Sequence, residues 1–264
     1  SYYSVIAGWA LAYVFRTGSG VFVNVTADGA ASIFGRFVAD PEKLLAWHTL
    51  FIVMTMFVVS RGVSQGLEKA VRLLMPALFV LLIILVGYAM NLGEFSQGIH
   101  FLFDFNFSRL TADSVLTAMG HAFFTLSLGM GAIMVYGSYL SDEHSIAQAS
   151  MLIALADTVV ALMAGMAIFP IVFSYGLEPG AGPGLIFRTL PISFGHMPGG
   201  TMVGGIFFTL LVFAAWTSAI SLIEPAVAYL VENKGMNLNY AAVVIGAFTW
   251  FVGLGTVLSF ILWK

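Results

Sequence analysis

At 264 residues, 60% hydrophobic and only 9% charged, with a mean hydropathy of +0.98, the chain lies far from soluble domains, about a quarter of whose residues are charged. That composition, in runs of helical spanning length, predicts an all-α polytopic membrane protein. A net charge of -3 gives no electrostatic case for nucleic acid, and zero cysteines exclude disulfides, thiolate metal sites and cysteine nucleophiles.

In chain order, Ser1 to Phe15 is apolar and aromatic and reads as the final half of a spanning helix. No charged stretch or small-residue cleavage site precedes it, so no signal peptide is expected. About Arg16 to Ala46 is predicted to be a polar loop with Gly18, Gly20 and Gly29, closing on Asp40-Pro41-Glu42-Lys43. Trp47 to Ser60 is a short span, and Leu73 to Leu92 a strong one containing Pro76. Arg61, Lys69 and Arg72 between them place the loop from Arg61 to Arg72 on the cytoplasmic side. Gly93 to Asp113 is an aromatic, polar, external connection, and Ser114 to Tyr139 is again apolar and long enough to span. Ser141-Asp142-Glu143-His144-Ser145 opens a short surface segment with Ser141 as the expected N-cap. Ala149 to Tyr175 spans and carries Asp157 well inside it. Glu178 to Gly200, with Pro179, Pro183, Pro191 and Pro198, reads as a re-entrant or lid-like external loop. Thr201 to Leu230 and Tyr240 to Trp263 complete six full spans and one partial span in a single transmembrane domain over 1–264. Both ends abut apolar runs, so the chain is expected to be a fragment of something longer.

The stretch Gly120-His121-Ala122-Phe123-Phe124-Thr125-Leu126-Ser127-Leu128-Gly129-Met130-Gly131 stands out within its span. Ser127-x-Gly129-x-Gly131 puts the residue least committed to a helix at the middle of a membrane segment. Broken backbone is tolerated in lipid only where the freed N–H and C=O groups face a cavity, a ligand or other protein. Discontinuous helices of this kind hold substrate and ions in many secondary transporters. A small-residue packing face explains the same glycines equally well.

Asp157 is the sharpest polar residue at membrane depth, because an unpaired carboxylate there costs several kcal/mol and is functional by default. Thr217 and Ser218 follow Ala214 by one turn, so hydroxyl and carbonyl oxygens converge on one helix face as hard ligands for a small cation. Each hydroxyl alone is more often bonded back to its own helix. Glu224, just before Pro225, serves backbone satisfaction and ligand binding equally well. His121 reads as a hydrogen-bonded core histidine, and Tyr3 and Phe124 by default as packing aromatics. No nucleophile–base pair at recognisable spacing supports an enzyme.

The run Gly120 to Ala132 closely resembles the unwound sixth helix of the neurotransmitter:sodium symporter family. Tyr2-Tyr3 with Trp9 resembles that family's third helix, and Arg61-Gly62 through Lys69 to Met75-Pro76 its junction of helices four and five. Thr189-Leu190-Pro191 and Gly199-Gly200-Thr201 resemble the external loop before helix eight. Ala214-Ala215-Trp216-Thr217-Ser218 with Glu224-Pro225 resembles helix eight itself. The resemblance runs in order over nearly the whole chain. It implies a partial LeuT-like inverted-repeat fold, with a discontinuous helix near 127–131. On this alignment the chain holds part of helix three to helix nine of a twelve-helix transporter, without the first two and last three helices.

The resemblance also implies roles. Tyr3 would meet the substrate carboxylate and help close the outer gate, and Phe124 would lie over the substrate as an aromatic lid. Thr125 and Ser127 match positions around the first sodium and the substrate, and Ala214, Thr217 and Ser218 the second sodium site, with Ser218 also bordering the substrate. Leu222 and Met130 match side-chain contacts of the substrate pocket. Tyr139 and Glu232 match the cytoplasmic gate, although the arginine that Glu232 would pair with is not in this chain. The implied ligands are two sodium ions and a small amino acid, in a bilayer, with the missing helices of the parent chain completing the site.

Three departures refine this. Asp157 stands where many members have an asparagine ligand to the first sodium, and Ala161, one turn on, offers no hydroxyl for chloride. A carboxylate at Asp157 then balances the cation itself, which predicts sodium coupling without chloride. His121 replaces a glutamine and is a candidate for proton coupling. Met130 replaces a phenylalanine of the best-known bacterial member with a side chain that yields space. The expected function is sodium-coupled symport of a large hydrophobic or aromatic amino acid in a bacterial inner membrane. A non-transporting scaffold or sensor of the same fold, or a transporter of a biogenic amine, remains the alternative.

Overall fold

The computed structural model describes residues 2–62, 66, 68–139, 145–177 and 182–262, almost all of them in helices. Among the described residues, five helices are long and apolar enough to cross a membrane: α3 (Pro41–Val59), α4 (Glu68–Ala89), α8 (Ile146–Ser174), α11 (Gly200–Lys234) and α12 (Leu238–Leu262). With them go α1 (Tyr2–Gly18) and a further apolar segment split into α6 (Ala112–Thr125) and α7 (Ala132–Ser138). The short helices α2 (Ala27–Val38), α5 (Phe95–Phe103), α9 (Gly182–Gly184) and α10 (Leu190–His196) fill the connections.

The core lies where α1 packs on α11 and α3. Tyr13 and Trp9 of α1 meet Phe22, Phe34, Phe187 and Phe208 in stacked and edge-on ring pairs, and the Tyr13 hydroxyl donates to the Phe187 carbonyl at 3.1 Å. Such pairs add about 0.5–1.5 kcal/mol each beyond the area they bury. Gly8 lets α1 approach α3 closely, since a Cβ there would lie 3.0 Å from the Trp47 carbonyl carbon and 3.1 Å from the His48 nitrogen. Gly8→Val is therefore expected to cost about 1–3 kcal/mol, read as a lower thermal midpoint of the purified protein.

Two connections differ from the sequence reading. The span from Arg16 to Ala46 is mostly helical: α1 continues to Gly18, α2 is capped by Thr26, and α3 starts at Pro41 rather than Trp47. Its glycines and charges suggested a loop, but Asp28, Arg36, Glu42 and Lys43 lie on the exposed sides of helices, and Ala30, Phe37 and Val38 of α2 are buried. Likewise, the Gly- and Pro-rich stretch before α11 is not a free lid. A π-helical turn (Leu185–Thr189) and α10 drive Phe187, Leu190 and Phe194 into the core, with Pro191 in the first turn of α10 where its missing amide costs nothing. The expected cap Ser141 lies outside the described residues; Ser145 caps α8, accepting from the Gln148 amide at 3.4 Å.

Asp40 caps α3, accepting from the Lys43 amide at 3.1 Å and pairing with the Lys43 ammonium. The side-chain bond from Lys43 holds the Asp40 carboxyl below the usual aspartate range. A depressed folded-state pKa contributes stability that is present at neutral pH and lost as pH falls through it. Asp40→Asn, which keeps a capping oxygen, is expected to melt lower than the parent at pH ~7, with the gap closing below the ordinary aspartate value of ~3.9. A gap unchanged under acid conditions contradicts this account.

Candidate substrate and ion site

The interruption between α6 and α7 is a defined helix ending rather than a frayed one. The Leu128 amide reaches back to the Phe123 carbonyl at 2.9 Å and the Ser127 amide to that of Phe124 at 3.1 Å, the paired bonds of a Schellman motif. The left-handed residue that this motif needs is Ser127, at φ 53°, a position usually given to glycine. Gly129 and Gly131 follow at φ 77° and 81°, and Gly131 starts α7. The sequence therefore breaks the helix where the Ser-x-Gly-x-Gly pattern stands.

The second half of the broken helix, α7, is tied to α11 by hydroxyls. Tyr136 donates to Ser221 Oγ at 2.7 Å, and Ser221 donates on to the Thr217 carbonyl at 3.1 Å. Thr217 Oγ1 lies 3.0 Å from the Ala214 carbonyl and 3.1 Å from that of Phe213. Tyr139 donates to Glu224 at 3.3 Å. Pro225 has no amide to offer the Ser221 carbonyl four residues back, so the α11 ladder is opened beside these groups.

A cavity of about 640 Å³ is lined by Ser127, Tyr136, Tyr139, Thr217, Ser218 and Ser221, with Glu68 and Met75 of α4 and Ile153 of α8. Four of the expected site residues, Ser127, Tyr139, Thr217 and Ser218, thus share one space. Tyr3 reaches the Ser218 side chain from α1. With Leu222 it also lines a smaller hollow of about 50 Å³. Ala214 contributes its carbonyl beside Thr217. The remaining expected residues are not gathered here. Phe124 is 65% exposed, Thr125 and Met130 are exposed, and α6 buries none of its residues. Asp157 is half-buried on α8, and Glu232 is exposed near the end of α11. His121 is exposed on α6.

Tyr139 bonds Glu224, which is only 6% exposed; Glu232, expected beside Tyr139 in the cytoplasmic gate, lies two turns further along α11. Sequence reasoning did not single out Tyr136 or Ser221 and left Glu224 undecided. A signal was available: Thr217, Ser221 and Glu224 fall at i, i+4 and i+7, a polar stripe midway along a mostly apolar helix.

Among the described residues no three His, Asp or Glu side chains cluster as a metal site. Hydroxyl and carbonyl oxygens, not carboxylate clusters, are the hard donors on offer, and these suit a small monovalent cation.

A bundle of spanning helices with one helix broken over a polar cavity defines a multi-pass membrane protein, with an architecture that recurs among secondary transporters. The description of the Sodium:neurotransmitter symporter family matches residues 38–260, and the chain belongs to that family. It is 38% identical to the uncharacterized sodium-dependent transporter YhdH of Bacillus subtilis, over 98% of this chain and 58% of that protein. It is 32% identical to a sodium-dependent transporter of Haemophilus influenzae, over 100% of this chain and 59% of that protein. Among solved structures, that of MhsT in complex with L-phenylalanine superposes at a TM-score of 0.87 with 42% identity, over 99% of this chain and 59% of MhsT. The fold is therefore LeuT-like, and the chain is a multi-pass cell-membrane protein. It spans about three-fifths of the length of each of these relatives.

Proposed function

We propose that this chain forms the central part of a sodium-coupled symporter for large hydrophobic or aromatic amino acids, in a bacterial inner membrane. The observation that carries the reading is the cavity that Ser127, at the helix break, shares with Thr217 and Ser218 of α11. The break exposes backbone dipoles to a substrate's charged groups, and the α11 oxygens supply hard donors for sodium. Ala214 and Thr217 would hold one sodium ion, with Ser218 beside them. Thr125 and Asp157 would hold a second, with the Asp157 carboxylate neutralising it in place of chloride.

Tyr3, Phe124, Ser127, Met130, Ser218 and Leu222 would contact the amino acid. Met130 is flexible enough to give room to a large side chain. The L-phenylalanine bound in MhsT, at 42% identity, supports this substrate class. Tyr139 and Glu232 would close the inner side.

The test is equilibrium binding of labelled tryptophan and leucine to the purified transporter containing this chain, in sodium and in potassium. Saturable binding in sodium alone is expected. Stronger binding of alanine or glycine than of tryptophan, phenylalanine and leucine would overturn the substrate class. Absence of sodium-dependent binding across an amino-acid panel would overturn the symport reading.

A further inference from the structure

Away from the candidate site, α3 and α12 enclose a second hollow of about 530 Å³ that the transport reading does not use. Its walls are apolar: Ile52, Val53, Met56 and Phe57 from α3 face Ala242, Val243, Gly246 and Ala247 from α12. Gly246 makes the floor low, because Met56 lies across it and a Cβ there would stand 2.6 Å from Met56 Cγ. Val53 and Val243, at 57% and 64% exposed, form the open rim.

The hollow has two distinct ends. One is closed by Trp250, whose indole nitrogen donates to Thr49 Oγ1 at 2.8 Å. The other opens at Ser60 beneath Arg61, whose guanidinium sits 4.1 Å above the ring of Phe57, itself a wall residue. Among the described residues Arg61 has no ion-pair partner. Arg61, with Lys69 and Arg72 in the first turns of α4, gives this end of the molecule the charge of a cytoplasmic side.

Thr49 to Ser60 spans 11 helical steps, so the hollow is about 16 Å long. That is about half of the ~30 Å hydrocarbon core, the depth of one leaflet. A partner helix would use the full height of both helices, whereas an apolar slot one leaflet long with a cation at its mouth matches a lipid. We propose that this slot binds one acyl chain of an anionic glycerophospholipid of the cytoplasmic leaflet, with its phosphate at Arg61.

Native mass spectrometry of the intact transporter, titrated with phosphatidylglycerol or phosphatidylcholine, tests this. The parent is expected to retain one phosphatidylglycerol in preference to phosphatidylcholine. Arg61→Gln should lower that preference roughly fivefold, the equivalent of ~1 kcal/mol for one basic residue at an anionic surface. Val53→Trp, built on the exposed rim and so compatible with folding, should reduce retention of both lipids. Gly246→Leu should do the same from the floor. Equal retention of the two lipids by the parent overturns the proposal. So does unchanged retention in Val53→Trp, or a disulfide-linked dimer on oxidation of a Val53→Cys, Val243→Cys double variant.

Discussion

Replacing Thr217 with valine is expected to weaken sodium-dependent amino-acid binding by roughly tenfold to a hundredfold. The change keeps shape and deletes one oxygen. In the structure Thr217 Oγ1 sits 3.0 Å from the Ala214 carbonyl, so the two oxygens already share a small volume beside the cavity that reaches Ser127. A hydrogen-bonding group that meets a charge contributes about 1.5–3 kcal/mol, and each 1.4 kcal/mol is tenfold in affinity. The hydroxyl also donates back to its own helix, to the Ala214 and Phe213 carbonyls, but a neutral bond of that kind is worth only about 1 kcal/mol and carries no dependence on cation. Thr217→Ser keeps the oxygen and should stay near the parent. The measurement is a sodium titration of labelled amino-acid binding to parent, Thr217→Val and Thr217→Ser; superimposable curves would remove Thr217 from the ion site.

The second large effect is expected at Asp157. A carboxylate near a sodium ion supplies attraction of ~4 kcal/mol at 4 Å in a medium of effective dielectric ~20. Asp157→Asn keeps the shape and a carbonyl oxygen but loses the charge. Sodium affinity should fall by a hundredfold or more on that scale, roughly, in chloride-free buffer. Added chloride alone should not recover it, because Ala161 offers no hydroxyl to hold the anion. Full sodium affinity of Asp157→Asn without chloride would exclude the charge-balancing role. Asp157 is half-buried on α8 and the described part of α6 packs extensively on no other helix, so the charge meets Thr125 only once α6 is held against the bundle.

The parts of the fold legible in the sequence were those set by local chemistry. Apolar runs of spanning length gave α4, α8, α11 and α12, and Ser127-x-Gly129-x-Gly131 located the helix break, because a left-handed backbone leaves few residue choices. The connections were harder to read. Glycine and proline between Glu178 and Gly200 signal turns, yet a proline in a first turn is compatible with α10, and its burial depends on α1 and α11, which are distant in sequence. In the site, Thr217, Ser218 and Ser127 could be anticipated to meet. The polar stripe on α11 marks Glu224, but its partner could not be read, since Tyr139 lies 85 residues earlier and only the docking of α7 on α11 joins them. The exposed residues of α6 show the limit of the same logic: the pattern names them, but their packing partners are not among the helices they touch here.

The length of α11 sets where its charges operate. Thirty-five residues at ~1.5 Å each make a rod of about 52 Å, against ~30 Å of hydrocarbon. The rod must therefore project into water, and Glu232, two residues before its end and exposed, belongs to the projecting part. Any attraction between Glu232 and a cation there is damped beyond ~8 Å at physiological ionic strength. Glu224, two turns deeper and buried against Tyr139, is sheltered from that damping. The end of α11 thus carries two acids of different character: an exposed one whose pull on any cation added salt would weaken, and a buried one whose bond to Tyr139 salt leaves alone.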